Sequence, residues 1–252
     1  MASPEYHRIR EIIASRRVSS DRPVNLEKFR ANIEATARDL PVEVNGTMVD
    51  AGGVPAELQV TQDAAKEKLI IYFHGGGYIG GSIASHRNLT GHLALQSRYS
   101  VLSVEYRLAP EHKFPAGLAD CLAAVHWIKD NAIELEIDST KIAVGGDSAG
   151  GNLAASVTIT LRDSAGPMPS LQLLLYPAVD FTADNESLQE NATGYLLTRD
   201  ALEMFANLYL PDRTTRTDPR ASPLLSPSHA NLPHTSVQTA KFTPLRDEGR
   251  AY

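Results

Sequence analysis

The chain has 252 residues, of which 42% are hydrophobic, and a formal net charge of -6. This is enough apolar sequence for the core of one globular enzyme, and the acidic balance argues against a nucleic-acid partner. No apolar run approaches the ~20 residues needed to cross a bilayer, and no signal-like apolar segment follows Met1. We therefore expect a cytoplasmic protein without a membrane span.

The first forty residues predict one or two amphipathic helices, because apolar residues recur at helical spacing, as at Leu26, Phe29 and Ile33. Glutamates are interspersed with the arginines of this segment, which favours a solvated cap helix over a membrane-surface helix. Two strand-like segments follow, at 42–50 and 54–61, and their junction at two glycines predicts an antiparallel hairpin.

After the hairpin, apolar strand patterns alternate with amphipathic helix patterns. We predict strands at 69–73, 100–105, 141–145 and 171–177, and helices at 86–98, 116–131 and 152–163. Alternating units of this kind imply an α/β fold with a mostly parallel sheet covered on both faces. The only cysteine, Cys121, falls inside the second of these helices, where a buried structural thiol is expected.

The segment 180–212 departs from that alternation. It contains several asparagines and then an amphipathic stretch with Leu202, Phe205 and Leu208. A further strand is predicted at 236–242. We expect an insertion of this length between core elements to contribute to function, because loops on a rigid scaffold commonly carry binding residues.

Ser148 lies between Gly146 and Gly150 in a G-x-S-x-G run that follows one predicted strand and precedes a helix. A sharp strand-to-helix turn exposes the hydroxyl, and glycines tolerate the close backbone approach on either side. The helix N-terminus also directs its free N–H groups at the same place. The alternative interpretation is an ordinary loop in which Ser148 is a helix N-cap.

A second glycine motif favours the nucleophile. The predicted strand 69–73 ends in His74, Gly75, Gly76 and Gly77, which leave backbone N–H groups free to approach a ligand oxygen. This is the oxyanion-hole loop expected of an esterase with such a nucleophile turn. Two motifs in the right order, each in its expected context, indicate a hydrolase site rather than coincidence.

From about residue 41 onward, the chain resembles the hormone-sensitive-lipase-like family of α/β-hydrolase carboxylesterases. Besides the two glycine motifs, five further stretches match the family, at 105–111, 114–116, 176–177, 222–224 and 244–249. The resemblance implies an α/β-hydrolase core at 41–180 and 219–252, lacking its last strand and helix. It also implies a cap formed by helices in 1–40 and an insertion at 181–218.

The resemblance implies hydrolysis of short to medium acyl esters through an acyl-enzyme, without a metal or cofactor. Ser148 would be the nucleophile, and backbone N–H groups of Gly76, Gly77 and Ala149 would bind the oxyanion. His74 would orient the glycine loop rather than act as a base. The remaining supporting positions are Gly75, Asp147, Gly146 and Gly150.

The acid and base of the family's triad have no clear counterpart. Thr243 stands at the position of the acid and carries no charge to stabilise an imidazolium. The family's histidine would lie beyond Tyr252. His229 and His234 are expected in a surface loop, and Asp247 and Glu248 are expected as first-turn acids of a helix, so none is favoured as a substitute.

Three interpretations follow from this. We favour an esterase whose chain is truncated or altered at its C-terminus and whose activity is low. The alternatives are a non-catalytic binding protein for carboxylates or esters, and a protein that a partner chain completes. An exposed edge at the last predicted strand would make the chain prone to aggregation or to homo-oligomer formation.

Overall fold

The structure is a computed structural model that describes residues 25–62, 64–210 and 212–252. The earliest part of the predicted N-terminal helices therefore lies outside the described residues. The strands are β1 Val44–Asp50, β2 Pro55–Thr61, β3 Ala65–Phe73, β4 Tyr99–Val104, β5 Ile142–Asp147, β6 Leu171–Leu175 and β7 His234–Gln238. The α-helices are α1 Leu26–Glu34, α2 Ile83–Ser97, α3 Ala116–Asp130, α4 Ala149–Asp163, α5 Glu186–Glu190, α6 Arg199–Tyr209 and α7 Arg246–Ala251.

The described strands form one sheet in the order β1-β2-β4-β3-β5-β6-β7. The pairs β1–β2 and β2–β4 are antiparallel, and the pairs from β4 through β7 are parallel. The predicted hairpin is confirmed as β1 and β2, and it turns at Gly52 and Gly53, both with positive φ. The predicted α/β class with a mostly parallel sheet is also confirmed.

The register of the central strands decides where the site lies. Phe73 at the end of β3 pairs with Gly146 near the end of β5. Since parallel strands end at the same edge of a sheet, the chain leaves β3 at His74 directly beside the point where it leaves β5 at Ser148. The two glycine motifs of the sequence are thereby neighbours in space.

Strand β3 is buried on both faces, and its residues alternate between two apolar clusters. Leu69, Ile71 and Phe73 pack into the larger cluster with α3 and α4, whereas Ile70 and Tyr72 pack into a smaller one on the other face. This is the period-2 alternation of a strand that is covered by helices on both sides. Cys121 lies in α3 and is completely buried, as predicted.

Several element bounds differ from the sequence-based ones. Helix α2 begins at Ile83, three residues early, because Ser82 and Ser85 form a capping box. Helix α4 begins at Ala149, immediately after Ser148. The bounds predicted for the last strand, 236–242, were wrong at both ends. Strand β7 begins at His234 and ends at Gln238, because it pairs only with the five residues of β6.

The N-terminal helix and the 181–218 segment lie in contact. The rings of Phe29 on α1 and Phe205 on α6 have centroids 5.6 Å apart. Arg30 fastens α1 to the core by donating to the carboxylate of Glu111 at 2.7 Å and to the carbonyl oxygen of Ile79 at 2.7 Å. In the part of the chain that the structure describes, no helix is long and apolar enough to cross a membrane.

Candidate active site

Ser148 occupies the sharp turn between β5 and α4. Its backbone has φ 53° and ψ -116°, in the positive-φ region that L-residues rarely adopt. Two hydrogen bonds hold the turn: the Ser148 N–H donates to the Leu175 carbonyl oxygen at 2.8 Å, and the Ala178 N–H donates to that of Ser148 at 3.2 Å. The Ser148 side chain makes no N-cap hydrogen bond, which contradicts the interpretation of this residue as a helix cap.

Close backbone contacts require glycine at positions 146 and 150, on either side of Ser148. A Cβ at Gly150 would overlap the Phe73 carbonyl oxygen, and one at Gly146 would overlap the backbone of Gly150. Real Cβ atoms do not approach backbone atoms so closely, so helix α4 reaches the end of β3 only because both positions lack a side chain. The turn is therefore fixed by its sequence.

The glycine loop lies beside this turn. Gly76 and Gly77 have φ of 123° and 63°, values that glycine adopts without strain. Gly77 lines the same cavity as Ser148 and Ala149, so two of the three predicted oxyanion donors belong to residues on one cavity wall with the serine. Gly76 lies one residue back, and its carbonyl oxygen accepts the N–H groups of Ile79 and Gly80.

His74 is completely buried behind the glycine loop. Its ring stacks on Tyr106 with centroids 4.3 Å apart, and its Nδ1 lies 2.8 Å from the Gly75 carbonyl oxygen. The Tyr106 hydroxyl donates to the His74 carbonyl oxygen at 2.6 Å. Burial and the nearby His86 lower the pKa of His74 to about 4, so the ring is neutral near pH 7.

Asp147 joins the nucleophile turn to the glycine loop. Its Oδ1 accepts the Gly75 N–H at 3.0 Å and the Tyr72 hydroxyl at 2.9 Å, and it lies 3.5 Å from Nε2 of His86. Burial by itself raises the pKa of Asp147, but the bonds and charge supplied by His86 and Tyr72 outweigh it and lower the pKa overall. The sequence indicated Asp147 but gave no sign of Tyr72 or His86.

A cavity of about 610 Å³ opens over Ser148. Its walls come from the glycine loop, the turn at Ser148, the 178–188 segment, α6 and the start of α7. The apolar side chains on the wall are those of Phe181, Leu188, Leu197, Leu202, Phe205 and Leu245. Charged side chains complete it, namely those of Asp180, Asp184, Arg199, Asp200, Glu203, Arg213, Arg216 and Glu248. Apolar and charged side chains thus line the cavity together, and a concave space of this volume is typical of a small-molecule site.

The candidate substitutes for the triad lie in different places. The Thr243 hydroxyl accepts the Leu245 N–H at 3.3 Å, and His229 Nε2 lies 3.1 Å from the Pro223 carbonyl oxygen. His234 is exposed at the start of β7, which corrects the expected loop position. Among the described residues that line the cavity, neither Thr243 nor a histidine is present.

The two acids of α7, Asp247 and Glu248, differ in the direction in which their surroundings shift the pKa. Both lie in its first turn, as predicted. Asp247 accepts a hydrogen bond from Arg246 at 2.7 Å, which lowers the pKa of Asp247 to about 2. Glu248 is 4% exposed, accepts the Val179 N–H at 2.7 Å and lines the cavity, and burial raises its pKa to about 8. Nothing in the sequence distinguished Glu248 from its neighbour, because the difference comes from tertiary packing.

The sequence is similar to known esterases. A family model described as alpha/beta hydrolase fold matches residues 70–252. The carboxylic ester hydrolase LipN of Mycobacterium tuberculosis is 39% identical over 236 residues, which are 88% of this chain and 63% of that protein. An arylesterase of Saccharolobus solfataricus is 39% identical over 185 residues, 73% of this chain and 60% of the relative. The chain thus spans about three fifths of the length of these curated relatives.

Solved structures of esterases are also similar to this chain. An ester hydrolase from the metagenome of Lake Arreo, determined with a bipyridine phosphonate derivative, superposes with a TM-score of 0.90 at 38% identity. That match covers 100% of this chain and 84% of the other. An esterase from Pyrobaculum calidifontis superposes with a TM-score of 0.89 at 35% identity, covering 98% and 82% of the two chains.

Proposed function

The chain belongs to the α/β-hydrolase fold family, among its hormone-sensitive-lipase-like esterases, and from this premise we propose that it is a carboxylic ester hydrolase with Ser148 as nucleophile. One observation carries the proposal: Ser148 sits on a strained strand-to-helix turn and shares a cavity wall with Gly77 and Ala149. Strain of this kind persists at functional sites when the surrounding structure holds it in place.

In the proposed reaction, the Ser148 oxygen attacks the ester carbonyl carbon and gives a tetrahedral intermediate. Its negative oxygen accepts hydrogen bonds from the N–H groups of Gly77, Ala149 and Gly76. Collapse breaks the ester C–O bond, and the proton of the Ser148 hydroxyl passes through solvent water to the leaving oxygen, so that the alcohol departs and an acyl group stays on Ser148. Water then attacks the acyl carbonyl, the C–O bond to Ser148 breaks, the acid is released and the serine oxygen recovers a proton.

The other site residues act by positioning. His74 supports the glycine loop from behind through its stacking on Tyr106, and Asp147 ties the loop to the nucleophile turn through Gly75. Helix α1 and the 181–218 segment would form the cap that excludes water from the acyl group. Esters of short to medium acyl chains are the substrates that the resemblance to the family implies.

We further propose that acylation and deacylation are both slow in this chain, because the same acid and base serve the two steps. The hydroxyl of Thr243 cannot carry the charge that orients and stabilises a triad imidazolium, and no histidine is among the described residues that line the cavity. An oxyanion hole and substrate binding alone retain roughly 10³–10⁴-fold over water in enzymes that lack triad members. The same observation favours a second candidate, a binding protein of this fold that holds an ester or carboxylate without turnover.

A burst experiment separates the two functions. Because p-nitrophenolate is a good leaving group, acylation by p-nitrophenyl butyrate should still be faster than deacylation. We therefore expect a burst of nitrophenol, and intact-mass analysis should show a butyryl adduct. Both signals should be absent from Ser148→Ala and retained in Ser164→Ala, a control serine at the far end of α4. Saturable binding of the ester without any adduct would refute the esterase and support the binding protein.

A further inference from the structure

His86, near the start of α2, approaches the carboxylate that joins the glycine loop to the nucleophile turn. Its Nε2 lies 3.5 Å from Oδ1 of Asp147, and the two side chains are only 15% and 10% exposed. The proposed acyl transfer gives this histidine no role. Because solvent screens a partly buried pair much less than a surface pair, a charge on His86 acts strongly on Asp147.

The hydrogen bonds around Ser85 indicate which form of His86 this arrangement holds. Ser85 Oγ accepts the Ser82 N–H at 2.9 Å, and it lies 3.0 Å from the Ser82 carbonyl oxygen and 2.9 Å from Nδ1 of His86. The single hydroxyl proton can serve either that carbonyl oxygen or Nδ1. If it serves the carbonyl oxygen, Nδ1 must donate to Ser85, and Nε2 must carry a second proton to donate to Asp147. Only the imidazolium makes all of these bonds at once.

The ionisable groups around His86 also favour a positive charge there. Asp147 faces Nε2 from the end of β5, and Glu105, which follows β4, accepts the N–H of Ile83 at the start of α2 at 2.8 Å. The ring centroid of His74 lies 5.4 Å away, and burial lowers the pKa of His74 to about 4, so this ring is neutral near pH 7 and adds no opposing charge. Two other acids at this end of α2 are each bonded to a partner, Glu57 to Arg87 and Glu34 to Ser82.

Asp147 transmits the position of His86 to the glycine loop. Its Oδ1 accepts the Gly75 N–H at 3.0 Å and the Tyr72 hydroxyl at 2.9 Å. Its Oδ2 lies so close to Gly75 that a Cβ there would overlap it. The carboxylate therefore cannot shift without displacing the loop, and a hydrogen bond from a charged donor holds it more strongly than one from a neutral donor.

We propose that His86 is a positioning residue for acyl transfer, whose imidazolium holds the Asp147 carboxylate against Gly75. It thereby keeps the proposed oxyanion donors of the glycine loop beside Ser148. The inference rests on the proposed esterase function and adds to it a residue that is not among those lining the cavity. Loss of the imidazolium proton removes one bond of this network and weakens the hold on the loop, so His86 makes the rate of acyl transfer depend on pH.

Two glutamine variants of α2 test this role. His86→Gln keeps a polar side chain without the charge, and His92→Gln changes an exposed histidine of the same helix. Single-turnover acylation by p-nitrophenyl butyrate is measured for both and for the wild type from about pH 5.5 to 8. The rate of the wild type relative to His86→Gln should fall roughly tenfold across this range, as the difference between a charge-assisted and a neutral hydrogen bond allows. His92→Gln should match the wild type throughout. A ratio of wild type to His86→Gln that is the same at every pH overturns the inference.

Nuclear magnetic resonance of the wild-type protein separates this inference from the esterase proposal, because it needs neither turnover nor a stable variant. At about pH 5.5, both ring nitrogens of His86 should have the chemical shifts of an imidazolium. As the pH is raised to about 8, the amide resonance of Gly75 should move with the same midpoint as the ring. This result supports the inference even if the wild type forms no acyl adduct. A Gly75 resonance that does not follow the titration of His86 refutes it, whatever the burst experiment shows.

Discussion

Asp147 directly precedes Ser148 in the sequence, yet its side chain points to the glycine loop. One oxygen serves the Gly75 N–H, the Tyr72 hydroxyl and, at greater distance, His86. Carboxylate acceptors make stronger hydrogen bonds than neutral groups, so the negative charge of Asp147 strengthens its hydrogen bond to the Gly75 N–H of the glycine loop. The residue couples the position of Ser148 to that of the glycine loop.

We predict that Asp147→Asn lowers the rate of Ser148 acylation by roughly ten- to a hundredfold and destabilises the fold by about 1–3 kcal/mol. The amide can still accept from Gly75, but it loses the charge that faces His86. Single-turnover acylation and urea unfolding measure the two effects. Asp120→Asn is the control, because Asp120 is a buried acid bonded to Arg107 on α3's side of the core. It should lose stability without a comparable loss of acylation.

At the scale of elements, the site depends on how closely helix α4 approaches the end of β3. Gly150 in the first turn of α4 faces the Phe73 carbonyl oxygen with no room for a Cβ. The same contact lets the helix N-terminus direct its N–H groups toward the cavity. Packing of one helix against one strand end therefore determines the turn at Ser148 and the position of the proposed oxyanion donors.

Gly150→Ala should therefore destabilise the protein by about 3 kcal/mol or more and abolish Ser148 acylation, because the helix must move away from the sheet. Gly53→Ala provides the matched comparison. Gly53 also needs positive φ, at 89°, but a Cβ there would meet nothing within 4 Å. It should cost only about 1 kcal/mol. Thermal unfolding compares the two, and equal costs would disprove the steric explanation.

The sequence predicted elements well where one strong local pattern existed. The apolar run at 69–73 and the glycine motifs placed β3, β5 and the nucleophile turn within a few residues. The bounds of α2 were missed because they depend on the Ser82 capping box, and those of β7 because pairing with β6 limits its length. The burial of Glu248 could not be predicted, since it arises only when distant segments pack.

At the scale of the whole molecule, two buried groups give the stability opposite responses to pH. His74 has a lowered pKa, so the unfolded chain binds its proton more readily and stability rises with pH until about 6.5, the ordinary histidine value. Glu248 has a raised pKa, so the unfolded chain releases its proton first and stability falls as pH rises from about 4.3. Between those values the two effects oppose each other.

Above pH 6.5 the Glu248 effect stands alone, and we predict a loss of roughly 2 kcal/mol between pH 6.5 and 8, at about 1.4 kcal/mol per unit. The contribution of Glu248 should level off above pH 8, where the folded form ionises too, and the buried Cys121 thiol, whose pKa is also raised by burial, should continue the loss there. Urea unfolding at several pH values measures it. Glu248→Gln should flatten the curve in this window.

Glu111→Gln should keep the wild-type slope, since the hydrogen bond from Arg30 lowers the pKa of Glu111 to about 2 and its ionisation is complete there. A wild-type curve that is flat from pH 6.5 to 8 would contradict the assignment of Glu248 as a buried neutral acid.

The completely buried Cys121 can report transient opening of the folded protein. Burial raises the pKa of the thiol, and the thiolate is the form that alkylating reagents attack, so the closed protein resists them. The thiol can be alkylated only in molecules in which helix α3 has transiently moved away from the sheet. As the sole cysteine of the chain, it lets the kinetics of alkylation count these openings without any introduced label.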